Sequence, residues 1–442
     1  MNFTRRAFIE GNISFLILCT IPFLILSVLF SIPLVIGILP GLGYLLWIVK
    51  RKKASWKEIL NSGIRGLDKN KEVLFLLLFL AILLPSLVTG GATDSLTNIA
   101  VHVISIKYFF MTAFFIAMFV SMLLGSTIGT LSIIGIPIMN LGMEFDLPLE
   151  IVAGALLSGA FVGDRTSPLS GAFNLVLTTL GISRKTHFFA ILPSTLLSVG
   201  TCMMLFIGLD LSVEKTMLFT TIFVEKFTLN NMISLLPIVI LIGCLLFRMK
   251  LIHSFICSLV VSFLLNTLLY HIDLLELLKN IWGGIKPVGG LGGSLNFILF
   301  VALTAIFTQW LEDYHLLDQL KLQSEGKRSS LGRHTIQSVK FGALLSIVSP
   351  NQSFPIIIAG NTLKEEWREH GLGNLSRIIS DTVLLFAGIV PWSLLAVVSA
   401  SIVKVDVIAY VPFAVFIWIS PLITILYAYS KEWYFKRRVQ VG

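Results

Sequence analysis

Long apolar runs separated by short charged linkers leave this chain few ways to fold. Residues 13–30, 32–49, 73–88, 188–209, 229–247, 251–270 and 288–310 each come close to the ~20 apolar residues that a membrane-spanning helix needs. Hydrocarbon offers the backbone no water, so such runs must satisfy their own amides and carbonyls, as helices do. The expected fold class is an all-α polytopic membrane protein. The formal charge of +9 arises from Lys and Arg clustered in linkers, with no basic face interleaved with aromatics, which excludes a nucleic-acid partner. Cys19, Cys202, Cys244 and Cys257 lie within apolar runs without metal-ligand or redox spacing. The histidines form no HExxH pattern, and neither a phosphate-binding loop nor a nucleophile elbow is present, so ATP-driven transport and hydrolase chemistry have no support.

Charge sets the topology. Arg5 and Arg6 precede the first run, no small-residue cleavage site follows it, and a second run begins at Ile32, so the first run reads as a retained span. Lys50, Arg51, Lys52, Lys53, Lys57, Arg65, Lys69 and Lys71 place the stretch after 49 in the cytoplasm, and the two termini with it. Residues 108–142 are interrupted at 125–130 and followed by Glu144, Asp146 and Glu150, which reads as a run that enters and returns. Residues 151–180 then cross inward to Arg184 and Lys185, and 188–209 cross outward to Asp210 and Glu214. From residue 229 the programme restarts with opposite charge: the hairpin linker now holds Arg248 and Lys250, and a later linker holds Lys321, Lys327, Arg328, Arg333 and Lys340. Residues 341–360, broken at 349–355, are too short to cross twice and read as a re-entrant hairpin.

Asp381 lies 217 positions after Asp164, and the same offset carries the first hairpin onto the second. The expectation is two inverted repeats of about five transmembrane helices plus one re-entrant hairpin each, with discontinuous helices at the site. The first repeat spans 1–212, with a scaffold hairpin at 13–49 and transport elements at 108–180. The second spans 213–442, with a scaffold hairpin at 229–270 and transport elements at 341–403. The glycine cluster at 283–295 reads as a site of close helix packing or a hinge.

Within 151–180, residues 158–174 bring a carboxylate, hydroxyls, an amide and Pro168 to bilayer depth, where only protein or a water-filled cavity can surround them. Asp164 supplies charge, while Ser167, Ser170 and Asn174 supply hard neutral oxygens suited to Na⁺. In the second half Asp381 and Thr382 precede Pro391 and Ser393 in a similar arrangement, and the hairpin tips add Thr127 and Thr130 from one half and Gln352 from the other. Asp164 and Asp381 are the candidate Na⁺ ligands, and both are expected near the midplane beside a tip. A carboxylate held out of water is costly to leave charged, so a proton and Na⁺ would compete for it, a sufficient basis for exchange. Arg165 is expected to act as a counter-charge that does not face its neighbour Asp164, and Arg377 is the expected pair for Asp381 four residues on.

The run from Gly163 to Ser170, with Asn174 and Leu175, resembles the signature of NhaC-type Na⁺/H⁺ antiporters. The Gly125–Thr130 tip, Gly289 with Gly290, and the block of Leu375, Arg377, Asp381, Thr382, Pro391 and Trp392 resemble the same family in order. The resemblance implies the ion-transporter superfamily fold, a movable transport domain and cation/proton exchange, with some relatives exchanging malate for lactate. The chain departs from it at Gly171, where the family has an acid, and at Ser393, where it has Asn. The expected activity is a secondary antiporter of the inner (cytoplasmic) membrane, with no cofactor beyond the transported Na⁺ and H⁺ and no enzymatic role. Small inorganic cations and the bilayer are its partners, and a homodimer is one assembly open to it. The alternatives are an organic-acid exchanger holding carboxylates on Arg165 and Arg377 and, more distantly, an intramembrane aspartyl protease using both aspartates.

Overall fold

The computed structural model describes residues 3–30, 32–96, 106–213, 229–247, 249–285, 288–314, 316 and 330–441. Glu214, Arg248, Lys321, Lys327 and Arg328, on which part of the topology argument rests, lie outside these, as do the side chains of Arg5, Arg6, Lys436, Arg437 and Arg438. Apart from one two-residue strand pair, Gly284–Ile285 against Val288–Gly289, the described elements are helical. Among the described residues, seven helices are long and apolar enough to cross a membrane, or eight if the pair Leu394–Val403 and Val407–Phe413, bent by 87°, is one span. The protein is thus an all-α polytopic membrane protein.

One bundle contains α1 (Phe3–Leu29), α2 (Leu34–Arg51), α3 (Trp56–Lys69) and α4 (Lys71–Thr89). With them pack α10 (Leu236–Leu246), α11 (Leu251–Leu264, continued by a π turn to Leu269), α12 (Leu274–Gly283) and α13 (Leu291–Asp313). Here α1 packs on α2, α2 and α3 on α13, α13 on α4, and α4 on α11, which pairs with α10. Both hairpins, 13–49 and 229–270, therefore lie in this bundle. In the glycine cluster, Gly290 runs so close to Gly284 that a Cβ would stand 2.4 Å from the Gly284 nitrogen, so the cluster serves close backbone packing.

The second bundle surrounds α7 (Leu149–Thr166), in which every residue from Ile151 to Thr166 is buried. Helix α5 (Ile106–Leu124) lies against it in parallel, Gly159 beside Phe114 and Gly163 beside Ser121, positions where a Cβ would meet backbone. Between them α6 (Thr127–Glu144) runs back, so the first tip is entered and left by helices of 19 and 18 residues. Each leg is about 27 Å long at 1.5 Å per residue, so the expected re-entrant pair consists of two helices long enough to cross. After α7 the chain unwinds at Ser167–Leu169, resumes as α8 (Gly171–Leu180), and returns as α9 (Arg184–Ser212). Asp210 at the end of α9 accepts hydrogen bonds from the Phe110 and Met111 amides at the start of α5.

The second-half hairpin is α14 (Leu331–Val348) and α15 (Ser353–Leu363). The Trp367 indole, just beyond α15, donates to Ser338 Oγ in α14 at 2.9 Å, tying the two legs together. Helix α14 starts ten residues before the apolar run because Ser330 caps it, accepting from the Arg333 amide. Arg333 and Lys340, read from the sequence as linker residues, are exposed positions on this helix. The chain continues through α16 (Leu372–Asp381), α17 (Leu394–Val403) and α18 (Val415–Val441). The two bundles meet along α13 with α17, α1 with α14, and α10 with α5.

Candidate functional site

Helix α5 stops at Gly125, whose φ of 66° is a left-handed conformation that favours glycine. Glycine is also required for closeness, since a Cβ there would stand 2.6 Å from the Ser170 nitrogen. The first tip thus presses on the break between α7 and α8. Ser126 caps α6 by accepting from the Gly129 amide at 3.1 Å, and Ser170 caps α8 by accepting from Phe173 at 3.2 Å.

Asp164, 7% exposed, lies one turn from the C-terminus of α7 where these capped helices meet. Ser170 donates to its Oδ1 at 2.9 Å, Thr127 donates to its Oδ2 at 3.3 Å, and Gln352 from the second half stands beside it. The carboxylate thus sits between two helix N-termini, whose partial positive charge favours an anion, and the carbonyl end of α7, whose partial negative charge favours a cation. Among the described residues no Lys, Arg or His pairs with it.

Asp381 has different surroundings. Its carboxylate forms an ion pair with Arg165 and accepts from Thr424 Oγ1 of α18. Arg165 turns away from Asp164 and also donates to Ser194 Oγ at 2.7 Å and to Thr195 on α9. Arg377, the expected partner of Asp381, instead stacks on Tyr427 with 4.3 Å between guanidinium and ring. Ser194, Thr195, Thr424 and Tyr427 complete this network, and nothing in the local sequence marks them, because they are ordinary polar residues in long apolar helices.

The remaining candidates separate into those near Asp164 and those held by the backbone. Gln352 donates its amide to the Leu384 carbonyl at 2.8 Å beside Asp164, which brings the two halves together. Ser167 Oγ donates to Met122 O at 2.9 Å, tying the break to α5, and Asn174 donates to the Pro168 and Ser170 carbonyls, bracing the turn. Thr130 and Thr382 donate to the carbonyls of Ser126 and Ile378, each four residues earlier, the usual fate of a helical hydroxyl. Ser393 donates to the Pro350 carbonyl at 3.4 Å, joining the second break, residues 387–393 ahead of α17, to the hairpin tip. Gly171 has no atom within 4 Å of where a Cβ would stand.

The second tip also touches the other bundle. Asn351 donates to Asn70 Oδ1 at 2.9 Å, at the junction of α3 and α4, and Phe354 and Trp392 share an apolar cluster with Trp310 and Leu311. Trp310 and Leu311 lie at the Asp313 end of α13. Toward the opposite end, a cavity of about 790 Å³ separates Phe297 and Phe300 of α13 from Val397 and Ser401 of α17, with Lys404 at its wall.

A family model described as the Na⁺/H⁺ antiporter family matches residues 11–211 and 173–431. The Na⁺/H⁺ antiporter NhaC of Alkalihalophilus pseudofirmus is 25% identical over 398 residues, 85% of this chain and 86% of that protein. The NhaC of Bacillus subtilis is 24% identical, covering 85% of this chain and 88% of its own length. The malate-2H⁺/Na⁺-lactate antiporter of the same organism is 23% identical over 86% of each chain. With matches along nearly its whole length, the chain belongs to the Na⁺/H⁺ antiporter family.

Proposed function

We propose that the protein is a secondary antiporter that expels Na⁺ in exchange for protons, with Asp164 as the carboxylate for which the two ions compete. The observation that carries this reading is the setting of Asp164: buried between capped helix ends, held by the Ser170 and Thr127 hydroxyls, next to Gln352, with no basic partner among the described residues. Na⁺ or a proton neutralises such a group, and the neutralised form is the one that crosses an apolar barrier at least cost. Ser170, Thr127 and Gln352 are its closest candidate ligands. Ser167 and Asn174 hold the break open, while Asp381 with Arg165 stiffens the bundle around it. The setting is one of the cytoplasmic membrane with both termini inside.

We also propose two inverted repeats, 1–212 and 213–442. The packing supports this: α8, which follows the first break, lies on α15, the outgoing leg of the second-half hairpin. Reciprocally, α17, which follows the second break, lies on α6, the outgoing leg at the first tip. The α1–α4 and α10–α13 bundle is then the scaffold, and the bundle around α7 is the moving part.

An organic-acid exchanger would hold substrate carboxylates on Arg165 and Arg377, but Arg165 is already engaged by Asp381, Ser194 and Thr195 and Arg377 is stacked on Tyr427. An aspartyl protease needs two carboxylates sharing a proton, and Asp381 is paired with Arg165 instead. Purified protein in liposomes with an imposed proton gradient tests the reading: Na⁺ added alone should collapse the gradient. A collapse that requires malate or lactate would transfer the chain to the organic-acid class, and no collapse with Na⁺, Li⁺ or K⁺ would end the antiporter reading.

A further inference from the structure

We propose that the outer face of α3 and the turn before it form a docking surface for anionic phospholipid headgroups. Helix α3 joins the last residue of α2, Arg51, to the first of α4, Lys71. Its inner face is fixed to the last turns of α13. Ile59 and Ser62 are buried there, the Trp310 indole donates to Ile59 O at 3.1 Å, and Arg65 pairs with Asp313 at 2.6 Å. Gly66 would bring a Cβ to 2.6 Å from Ala305 O, so helix and span are in backbone contact. The helix is therefore held at the level where α2, α4 and α13 end.

Its outer face carries a second apolar stripe, Trp56, Leu60 and Ile64 at successive turns, exposed by 65%, 66% and 53%. A water-facing helix has no reason to show such a stripe, whereas one lying in the membrane interface does. Above it stands a cluster of cations. Lys50 Nζ lies 4.1 Å over the Trp56 ring and the Arg51 guanidinium 4.0 Å over the half-exposed Trp47, while Lys53 and Lys57 are exposed. Lys52 is tied to the Tyr314 carbonyl at 2.6 Å. Of the two acids on α3, Glu58 is engaged by its own cap, the Ser55 amide donating to it at 2.7 Å, and Asp68, one turn beyond Ile64, pairs with Lys71 at 2.8 Å. Interfacial aromatics beneath fixed cations match the chemistry of a lipid phosphate above its acyl chains.

The test reconstitutes the full chain in phosphatidylcholine bilayers containing brominated phosphatidylglycerol or, at equal mole fraction, brominated phosphatidylcholine. Trp56 quenching is obtained as the difference between the wild type and Trp56→Phe. The expected result is about twofold or greater quenching by the anionic lipid, from electrostatic enrichment near several cations. That ratio should fall to about one in Arg51→Gln/Lys53→Gln/Lys57→Gln and persist in Arg51→Lys/Lys53→Arg/Lys57→Arg. Equal quenching by the two lipids in the wild type, or a ratio unchanged by the charge-removing variant, overturns the proposal. Loss of the ratio on adding inorganic phosphate but not on adding sodium chloride of equal ionic strength would assign the cations to a soluble anion and also overturn it.

Discussion

Arg165 and Asp381, from opposite halves of the chain, form an ion pair in which neither side chain is exposed. Removing one member leaves the other charged and buried without a partner, which costs about 3–5 kcal/mol. Arg165→Gln and Asp381→Asn should each lower the thermal unfolding midpoint of the detergent-solubilised protein markedly. The double variant, which leaves no lone charge, should recover part of the loss. A double variant whose loss equals the sum of the singles would show that the two side chains act independently.

Close contact of α5 with α7 depends on small residues. A Cβ on Gly163 would collide with the Ser121 backbone, and overpacking of that kind typically costs about 1–3 kcal/mol. Gly163→Ala should therefore destabilise the protein in the same thermal assay, while Gly171→Ala, where a Cβ meets nothing within 4 Å, should leave the midpoint nearly unchanged.

Thr127 contributes one hydroxyl to Asp164 and caps nothing itself. Thr127→Val keeps the shape and removes a hydrogen bond to a charged group, a change of about 1.5–3 kcal/mol. The predicted outcome is a Na⁺ half-saturation constant raised by about tenfold or more, measured as the Na⁺ dependence of proton flux.

The Asn351 to Asn70 hydrogen bond joins the second tip to the scaffold end. If the bundle around α7 moves during exchange, this bond exists at one end of its travel and biases the population toward that end. Its loss is worth about 1 kcal/mol, so Asn70→Ala should change the ratio of the two access states about fivefold. Labelling of a cysteine introduced at the cavity wall, for example Ser401→Cys in a chain whose native cysteines are replaced, would report that ratio.

The helical membrane class, the break at Ser167 to Ser170 and the burial of Asp164 are legible because each leaves a local mark: an apolar run, a proline among hydroxyls, a carboxylate where lipid forbids one. Partnerships across the fold are not. Arg165 is expected to avoid Asp164, since adjacent residues on a helix point apart, yet its attachment to Asp381 depends on how α7 and α16 both pack on α9. The i to i+4 spacing favoured Arg377 for Asp381, but the ring of Tyr427 takes that guanidinium, and tertiary contact overrides spacing. The expected symmetry of the two aspartates fails for the same reason: one received an arginine and the other did not. The start of α14 was missed because its first turns are polar and are set by the Ser330 cap, which carries no hydropathy signal.

The central claim is that Asp164 is the group at which Na⁺ and the proton exchange. The most direct measurement is efflux of radioactive Na⁺ from proteoliposomes driven by an inward proton gradient, comparing wild type with Asp164→Asn at equal reconstituted amounts. The account predicts gradient-driven efflux in the wild type and none above protein-free liposomes in Asp164→Asn, with Asp164→Glu retaining a measurable fraction. Proton-coupled Na⁺ efflux at the wild-type rate in folded Asp164→Asn would contradict it.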